Sequence, residues 1–399
     1  MKKRYITLYL VSIISFFASS VWAETIEEIA SIILTNSPGF TSRKLSRESL
    51  SSSLAGASNL PDPALGGEYL VSSGDEPNRW AAELSWELEW PGVYNARKKE
   101  ARSQINAFDN NFEVEKLNKL IEINKLLADY ILQSKKLDLL DLLSSTNDSI
   151  YSYAEHAAKS GEITLLDLNK IKLDNITLRA TRNVIINERN STISTLSQIY
   201  GKDCTALLAV MNCEFPEITI PQGADPKDYI SQSPEVMAAY SEIESLKAAK
   251  DVAKMEGLPN ISFGYKHAYE DNMHFNGATF GITLPIFSNR NKIKAAEAAI
   301  NEAEYNAKRA EESAELEISL LLNNIMTMRE QVAEIEPVLT STDYNSILLK
   351  AYESGIITVI DYLSERNYFA TAFLELLDLK HTLTTTRLDL SKYYVSGVR

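Results

Sequence analysis

The chain contains a copy of itself. Ser160-Gly161-Glu162-Ile163-Thr164-Leu165-Leu166-Asp167 and Ser354-Gly355-Ile356-Ile357-Thr358-Val359-Ile360-Asp361 share Ser, Gly, Ile, Thr and Asp at the same spacing. At the same offset Pro91 falls on Pro285 and Asn95 on Asn289, each opening a long mixed charged and apolar pattern. Looser counterparts are Asn36-Ser37-Pro38 with Gln232-Ser233-Pro234, and Leu60-Pro61 with Leu258-Pro259. A duplicated chain has to be read as two copies of one supersecondary plan. Each half here reads as helix, two strands, very long helix, turn, helix. The expected division is a first repeat over 24–201, a connector over 202–222 and a second repeat over 223–399.

The residues ahead of the first repeat read as a signal peptide over 1–23. Met1-Lys2-Lys3-Arg4 is basic, Tyr5 to Phe17 is largely apolar, and Val21-Trp22-Ala23 precedes the acidic Glu24. That pattern predicts export from the cytoplasm with cleavage after Ala23. No later stretch is apolar and long enough for a spanning helix, so membrane contact by the mature chain has to come from strands.

The two halves are built mainly for helices. Gly and Pro number only 15 and 12. From Val93 to about Lys159 there is no proline, and Val114, Leu117, Ile121, Ile123, Leu127, Tyr130 and Ile131 fall close to helical spacing. Such a helix would reach roughly 100 Å. Its twin is expected from about Asn291 to Tyr352, interrupted at Pro337. Helices this long need partners along their length, which predicts coiled-coil pairing with the helices after Gly161 and Gly355.

Between Trp80 and Trp90 the periodicity changes to two. Trp80, Ala82, Leu84, Trp86, Leu88 and Trp90 are apolar, while Glu83, Ser85, Glu87 and Glu89 alternate with them. A strand with one apolar and one wet face follows. Its length suits a tilted membrane strand, with Trp80, Leu84, Trp86 and Trp90 towards lipid and Glu83, Glu87 and Glu89 lining a lumen or simply solvated. Ala64 to Ser72, Ile261 to Tyr269 and Phe275 to Ile286 complete two hairpins. Four strands cannot close a barrel, and an open edge in lipid leaves backbone groups unpaired at several kcal/mol each. Strands in lipid would therefore have to be pooled among several chains.

The composition points away from other classes. A net charge of −14 opposes binding to nucleic acid phosphates. His156, His267, His274 and His381 show no metal-ligand spacing in the sequence, and Met273-His274 reads as a polar hairpin loop open at most to passing contact with a soft metal. No phosphate-cradling loop, nucleophile elbow or zinc motif occurs, which predicts neither an enzyme nor a cofactor. Cys204 and Cys213 could close a short disulfide loop in an oxidising compartment, the alternative being two unpaired thiols.

The tandem repeat, the strand pair after the first helix of each half, and the Ser-Gly turns with Asp six residues beyond Gly together resemble the TolC-type outer-membrane factor family. The resemblance covers essentially the whole mature chain and is nearest the metal-ion and small-molecule efflux branch. It implies a mainly α fold with a membrane β-barrel portion, in which a homotrimer pools four strands per chain into a twelve-stranded barrel in a Gram-negative outer membrane. Long coiled-coil helices would form a periplasmic tunnel. The implied partners are a periplasmic adaptor, touching the turns at Ser160, Gly161, Ser354 and Gly355, and an inner-membrane pump, of RND type.

The resemblance also implies a gate. Asp167 and Tyr352 fall where the family has an aspartate–tyrosine link, and Asp361 falls on a selectivity ring of aspartates. Ser364 replaces the second aspartate of that ring, and Ile357 replaces an arginine of the closing link. Read from the residues alone, an Asp at a helix start is also simply favourable beside the positive helix end, and Gly161 and Gly355 permit positive φ in a tight turn. The functional alternatives are an outer-membrane duct for type I protein secretion and a soluble coiled-coil adaptor without a pore.

Overall fold

The structure is a computed structural model that describes residues 25–74, 77–218, 229–230, 233–285, 289–340 and 344–393. The expected signal peptide lies outside the described residues, as does the end of the connector with Pro221.

The first half begins with α1 (Ile26–Asn36) and α2 (Pro38–Ala57), where the sequence predicts one helix. Proline disfavours helical geometry in the residue before it, and Ser37 is accordingly extended, with φ −68° and ψ 139°. Its hydroxyl accepts the Phe40 amide and restarts the chain as a helix. Ile26, Ile29, Ala30, Ile33 and Leu34 recur at helical spacing and are buried. A capping box at Thr25 and Glu28 fixes the start of α1.

Next come β1 (Ala64–Leu70), β2 (Arg79–Leu88), the 70-residue α3 (Pro91–Ser160) and α4 (Leu165–Tyr200). A single turn, α5 (Thr205–Leu208), belongs to the connector. The order then recurs as α6 (Pro234–Met255), β3 (Asn260–Glu270), β4 (Met273–Thr283) and α7 (Arg290–Thr340), followed by α8 (Tyr344–Glu353) and α9 (Val359–Ser391). Pro337, where an interruption is expected, lies inside the last turn of α7, and residues 341–343 between α7 and α8 are outside the described residues.

By contacts the chain forms two units. One comprises Met1–Phe40, Lys119–Ile220 and Leu321–Asp389, and the other Thr41–Asn118, Pro221–Leu320 and Leu390–Arg399. In the first unit Ile29, Ile33, Ile123, Leu127, Ile131 and Leu196 are fully buried in one cluster with Cys204 and Leu208. Each such aliphatic side chain contributes about 1.5–3 kcal/mol by leaving water. A polar ladder joins α3 to α9: Lys125 to Asp389, Asp129 to His381 and Lys136 to Asp378, each at 2.6 Å. These pairs are partly exposed and fix register more than they stabilise.

The expected Cys204–Cys213 bond is not present. Both are free thiols: Cys204 is buried in that cluster beside Ser197 and the Ile193 carbonyl, and Cys213 is half-buried near the Met211 carbonyl. The packing of α5 directs Cys204 inward, which short sequence spacing alone does not reveal.

The second unit holds one antiparallel sheet in the order β1-β2-β3-β4. Its two hairpins therefore pair with each other through β2 and β3, and β1 and β4 are its edges.

Candidate functional site

The sheet register sorts the predicted residues onto two faces. Directly paired residues share a face, so Trp80 groups with Tyr69 and Tyr269, Leu84 with Leu65 and Tyr265, Trp86 with Phe263, and Leu88 with Ile261. Phe280 and Ile282 extend the last two rows onto β4. This face is apolar except near the β3–β4 turn, where His267, His274 and Asn276 fall on it, and Leu84, Phe280 and Ile282 are 52%, 84% and 70% exposed. A folded chain does not leave such a surface in water without a use for it. Aromatic residues stand near both ends of the face, as in a membrane girdle.

The opposite face is polar and tight. Glu83 pairs across from Lys266 and accepts the Thr279 hydroxyl at 3.1 Å, and Glu87 lies opposite Ser262. A side chain at Gly264 would stand 2.7 Å from the Leu84 carbonyl oxygen and from Thr279 Oγ1, so this face admits only glycine there.

Two predicted residues leave the strand. β2 ends at Leu88, so Glu89 and Trp90 lie beyond it. Glu89 receives both guanidinium nitrogens of Arg97 at the start of α3, and Arg97 also reaches Glu256 at 3.0 Å. Glu89 thus anchors the strand-to-helix junction and does not line the sheet. Trp90 stays 43% exposed, just before α3 begins at Pro91.

In the other unit the two Ser-Gly turns are built alike. Gly161 has φ +79° and Gly355 φ +70°, and the following amides donate five residues back, Glu162 to Ala157 at 2.8 Å and Ile356 to Ala351 at 2.9 Å. This is the Schellman helix ending, which favours glycine because a Cβ strains the left-handed conformation. Two residues later Thr164 and Thr358 open the next helices. Each hydroxyl accepts the amide of the Asp three residues on, at 3.1 Å, and donates to its carboxylate at 2.7 Å.

Asp167 and Asp361 therefore act structurally at helix starts, whatever else they do. Hydrogen bonds from the Thr358 hydroxyl and amide hold the Asp361 carboxyl below its ordinary range. Gly161, Asp167, Tyr352, Gly355 and Asp361 all line one cavity of about 1090 Å³. Ser160 and Ser354, the other two predicted turn residues, are exposed.

The structure does not join Asp167 to Tyr352 by a hydrogen bond among the described residues. The Asp167 carboxylate is taken by Thr164, and the Tyr352 ring lies 5.4 Å from that of Tyr362. Burial, with Tyr153 and Tyr362 nearby, pushes the Tyr352 hydroxyl above its usual range. Ile357 and Tyr352 instead pack with Ile163, Leu168 and Val359 around a buried cluster of Ile150, Ala154, Ile171, Leu348, Tyr362 and Leu363. The two turns are thus held together by apolar contact where the family resemblance implies a polar link. Ser364 is exposed.

Sequence reasoning missed Arg366. Its side chain is 1% exposed, and it donates to Asn147 of α3, to Asp174 of α4 at 2.9 Å and to Asn367 at 3.0 Å. Asn147 and Asn367 each donate to Asp174 in turn. An Arg two turns into a charged-looking helix carries no mark in sequence that it is buried.

A four-stranded sheet with an apolar face and open edges, in a chain otherwise made of long helices, has the fold expected of strands pooled into a shared barrel. The comparisons agree with that fold. The chain superposes on a membrane protein from Pseudomonas aeruginosa with TM-score 0.77 at 17% identity, covering 92% of each chain. It superposes on the CmeC outer membrane channel of Campylobacter jejuni with TM-score 0.76 at 16% identity, covering 92% of this chain and 85% of that one. For the outer membrane protein VceC of Vibrio cholerae the TM-score is 0.71 at 16% identity, covering 92% and 94%. A search of curated protein sequences finds no match.

The model of the family described as Outer membrane efflux protein matches residues 226–394. The resemblance to the TolC-type outer-membrane factors read from the duplicated sequence agrees with that match over the second half of the chain and with the shared fold.

Proposed function

We propose that three copies of this chain form a passive exit duct of a tripartite efflux system, not an enzyme, carrying small molecules or metal ions outward from the periplasm. One observation carries the reading. An exposed apolar sheet face ends at two unpaired edges, β1 and β4, and in lipid those edges are tolerable only if other chains supply their partners. Glu83 and Glu87 on the polar face would line the lumen and favour cations. Trp80, Leu84 and Trp86 would meet lipid, with Trp90 at its boundary.

In the same reading each half of the chain supplies one hairpin to the barrel and one to the tunnel. Asp361, Asp167 and Tyr352 belong to the periplasmic gate, and Ser160, Gly161, Ser354 and Gly355 receive a periplasmic adaptor that links the duct to an inner-membrane pump of RND type. Three symmetry-related Asp361 carboxylates at a narrow mouth would focus negative potential and draw hydrated cations.

The test is native mass measurement of the detergent-extracted complex, followed by single-channel recording in a planar bilayer. Three chains and a cation-preferring conductance are expected. A detergent-independent monomer, with Trp80 and Trp86 shielded from quenchers, overturns the reading.

A further inference from the structure

The hairpin β3–β4 does something that the spacing of its histidines does not announce. Asp271 and Asn272 both take positive φ, 50° and 61°, which turns the chain back within two residues. The resulting register sets His274 opposite Tyr269 and His267 opposite Asn276, so the two histidines are diagonal neighbours on one face. They lie at the end of the sheet opposite the one where β2 runs into α3 and β4 runs towards α7.

There Nδ1 of His274 stands 3.3 Å from Nε2 of His267, and the ring centroids are 5.3 Å apart. Two imidazoles bound to one tetrahedral zinc at about 2.0–2.1 Å place their nitrogens about 3.3 Å apart and their ring centres about 5.2 Å apart. Both separations are already met.

The surroundings fix the donor atoms. Asn276 Oδ1 lies 2.6 Å from Nδ1 of His267 and also accepts the Tyr265 hydroxyl at 2.7 Å. An amide oxygen can only accept, so Nδ1 of His267 carries its proton and Nε2 presents a lone pair towards His274. A hydrogen-bonded carbonyl oxygen behind a histidine is the usual support of a metal-binding ring.

We propose that His267 and His274 form a two-histidine site for a borderline divalent transition ion such as Zn²⁺, Cu²⁺ or Ni²⁺, with water completing the coordination. Without metal the pair holds a proton between Nδ1 of His274 and Nε2 of His267. On binding, that proton moves to Nε2 of His274 and the metal takes its place, so each ring stays neutral. Hard ions such as Ca²⁺ and Mg²⁺, which prefer oxygen, are excluded. The site is independent of what the duct carries.

The experiment uses the full chain in detergent without a polyhistidine tag. Zn²⁺ is titrated against a zinc-responsive dye, and Cu²⁺ is followed by electron paramagnetic resonance. One Zn²⁺ per chain is expected, with coupling of Cu²⁺ to two nitrogens.

His267→Gln and His274→Gln should each reduce the coupling to one nitrogen, and Asn276→Ala should weaken binding roughly tenfold or more. The size of the detergent complex and its helical circular dichroism report whether each variant is folded. Absence of saturable Zn²⁺ binding in the parent protein overturns the proposal. So does binding that survives in a folded double variant.

Discussion

Arg366 of α9 donates to Asp174 of α4 at 2.9 Å, from a side chain that is almost wholly inaccessible to water. The same guanidinium reaches Asn147 of α3, so one residue ties three helices together. Replacing it by Ala removes the counter-charge of Asp174, which keeps only the Asn147 and Asn367 amides, and leaves the Asn147 Oδ1 without its donor, at a cost of about 3 kcal/mol. The midpoint of thermal unfolding, followed by circular dichroism, should fall by several degrees. Arg366→Met combined with Asp174→Leu should recover most of that loss, and failure to recover would mean that packing, not the ion pair, dominates there.

Asp361 is the second point of test. Asp361→Asn keeps the shape of the cap but removes one negative charge per chain from the cavity between the turns. Cation selectivity and block by divalent ions should both weaken in planar-bilayer recordings. Unchanged currents would leave Asp361 as a helix cap and nothing more.

The same carboxylate makes the turn sensitive to acid. Its folded pKa is depressed by the Thr358 hydroxyl and amide, so the stabilisation is present above the ordinary aspartate range and is lost as pH falls through the folded value. Amide exchange of Val359 to Tyr362, corrected for intrinsic rates, should accelerate as pH drops below the carboxylate range. Thr358→Val should show the fast exchange already at neutral pH.

The cysteines give a direct chemical check. Burial pushes both thiols above their ordinary range, and Cys213 is the less enclosed of the two. At neutral pH a maleimide should label Cys213 slowly and Cys204 more slowly still, with equal gel mobility in the presence and absence of reductant. A mobility shift on reduction would restore the bond.

How much of this was legible in advance depends on the period of each signal. Strict alternation from Trp80 to Leu88 gave the face assignment, because a strand has only two faces and the register confirms which residues share one. The twin Ser-Gly turns were legible because positive φ restricts residue choice and leaves glycine at Gly161 and Gly355. Glu89 and Trp90 continued the alternation in letters but not in space, since Arg97 captures Glu89 after the strand has ended.

Ser37 and Pro38 hid a helix break in an otherwise helical pattern. Arg366, His267 and His274 were out of reach for another reason: their partners lie on neighbouring helices or across a hairpin, where only the folded register brings them close.

The open edges of the sheet have a consequence for heredity. In the proposed duct each β1 edge recruits another polypeptide, so a cell making sound and crippled chains mixes them in every assembly. In a threefold assembly with equal supply, only about one complex in eight is built wholly of sound chains. An allele whose product still pairs at its edges but cannot conduct therefore suppresses its healthy counterpart, whereas an allele that deletes the chain outright does not.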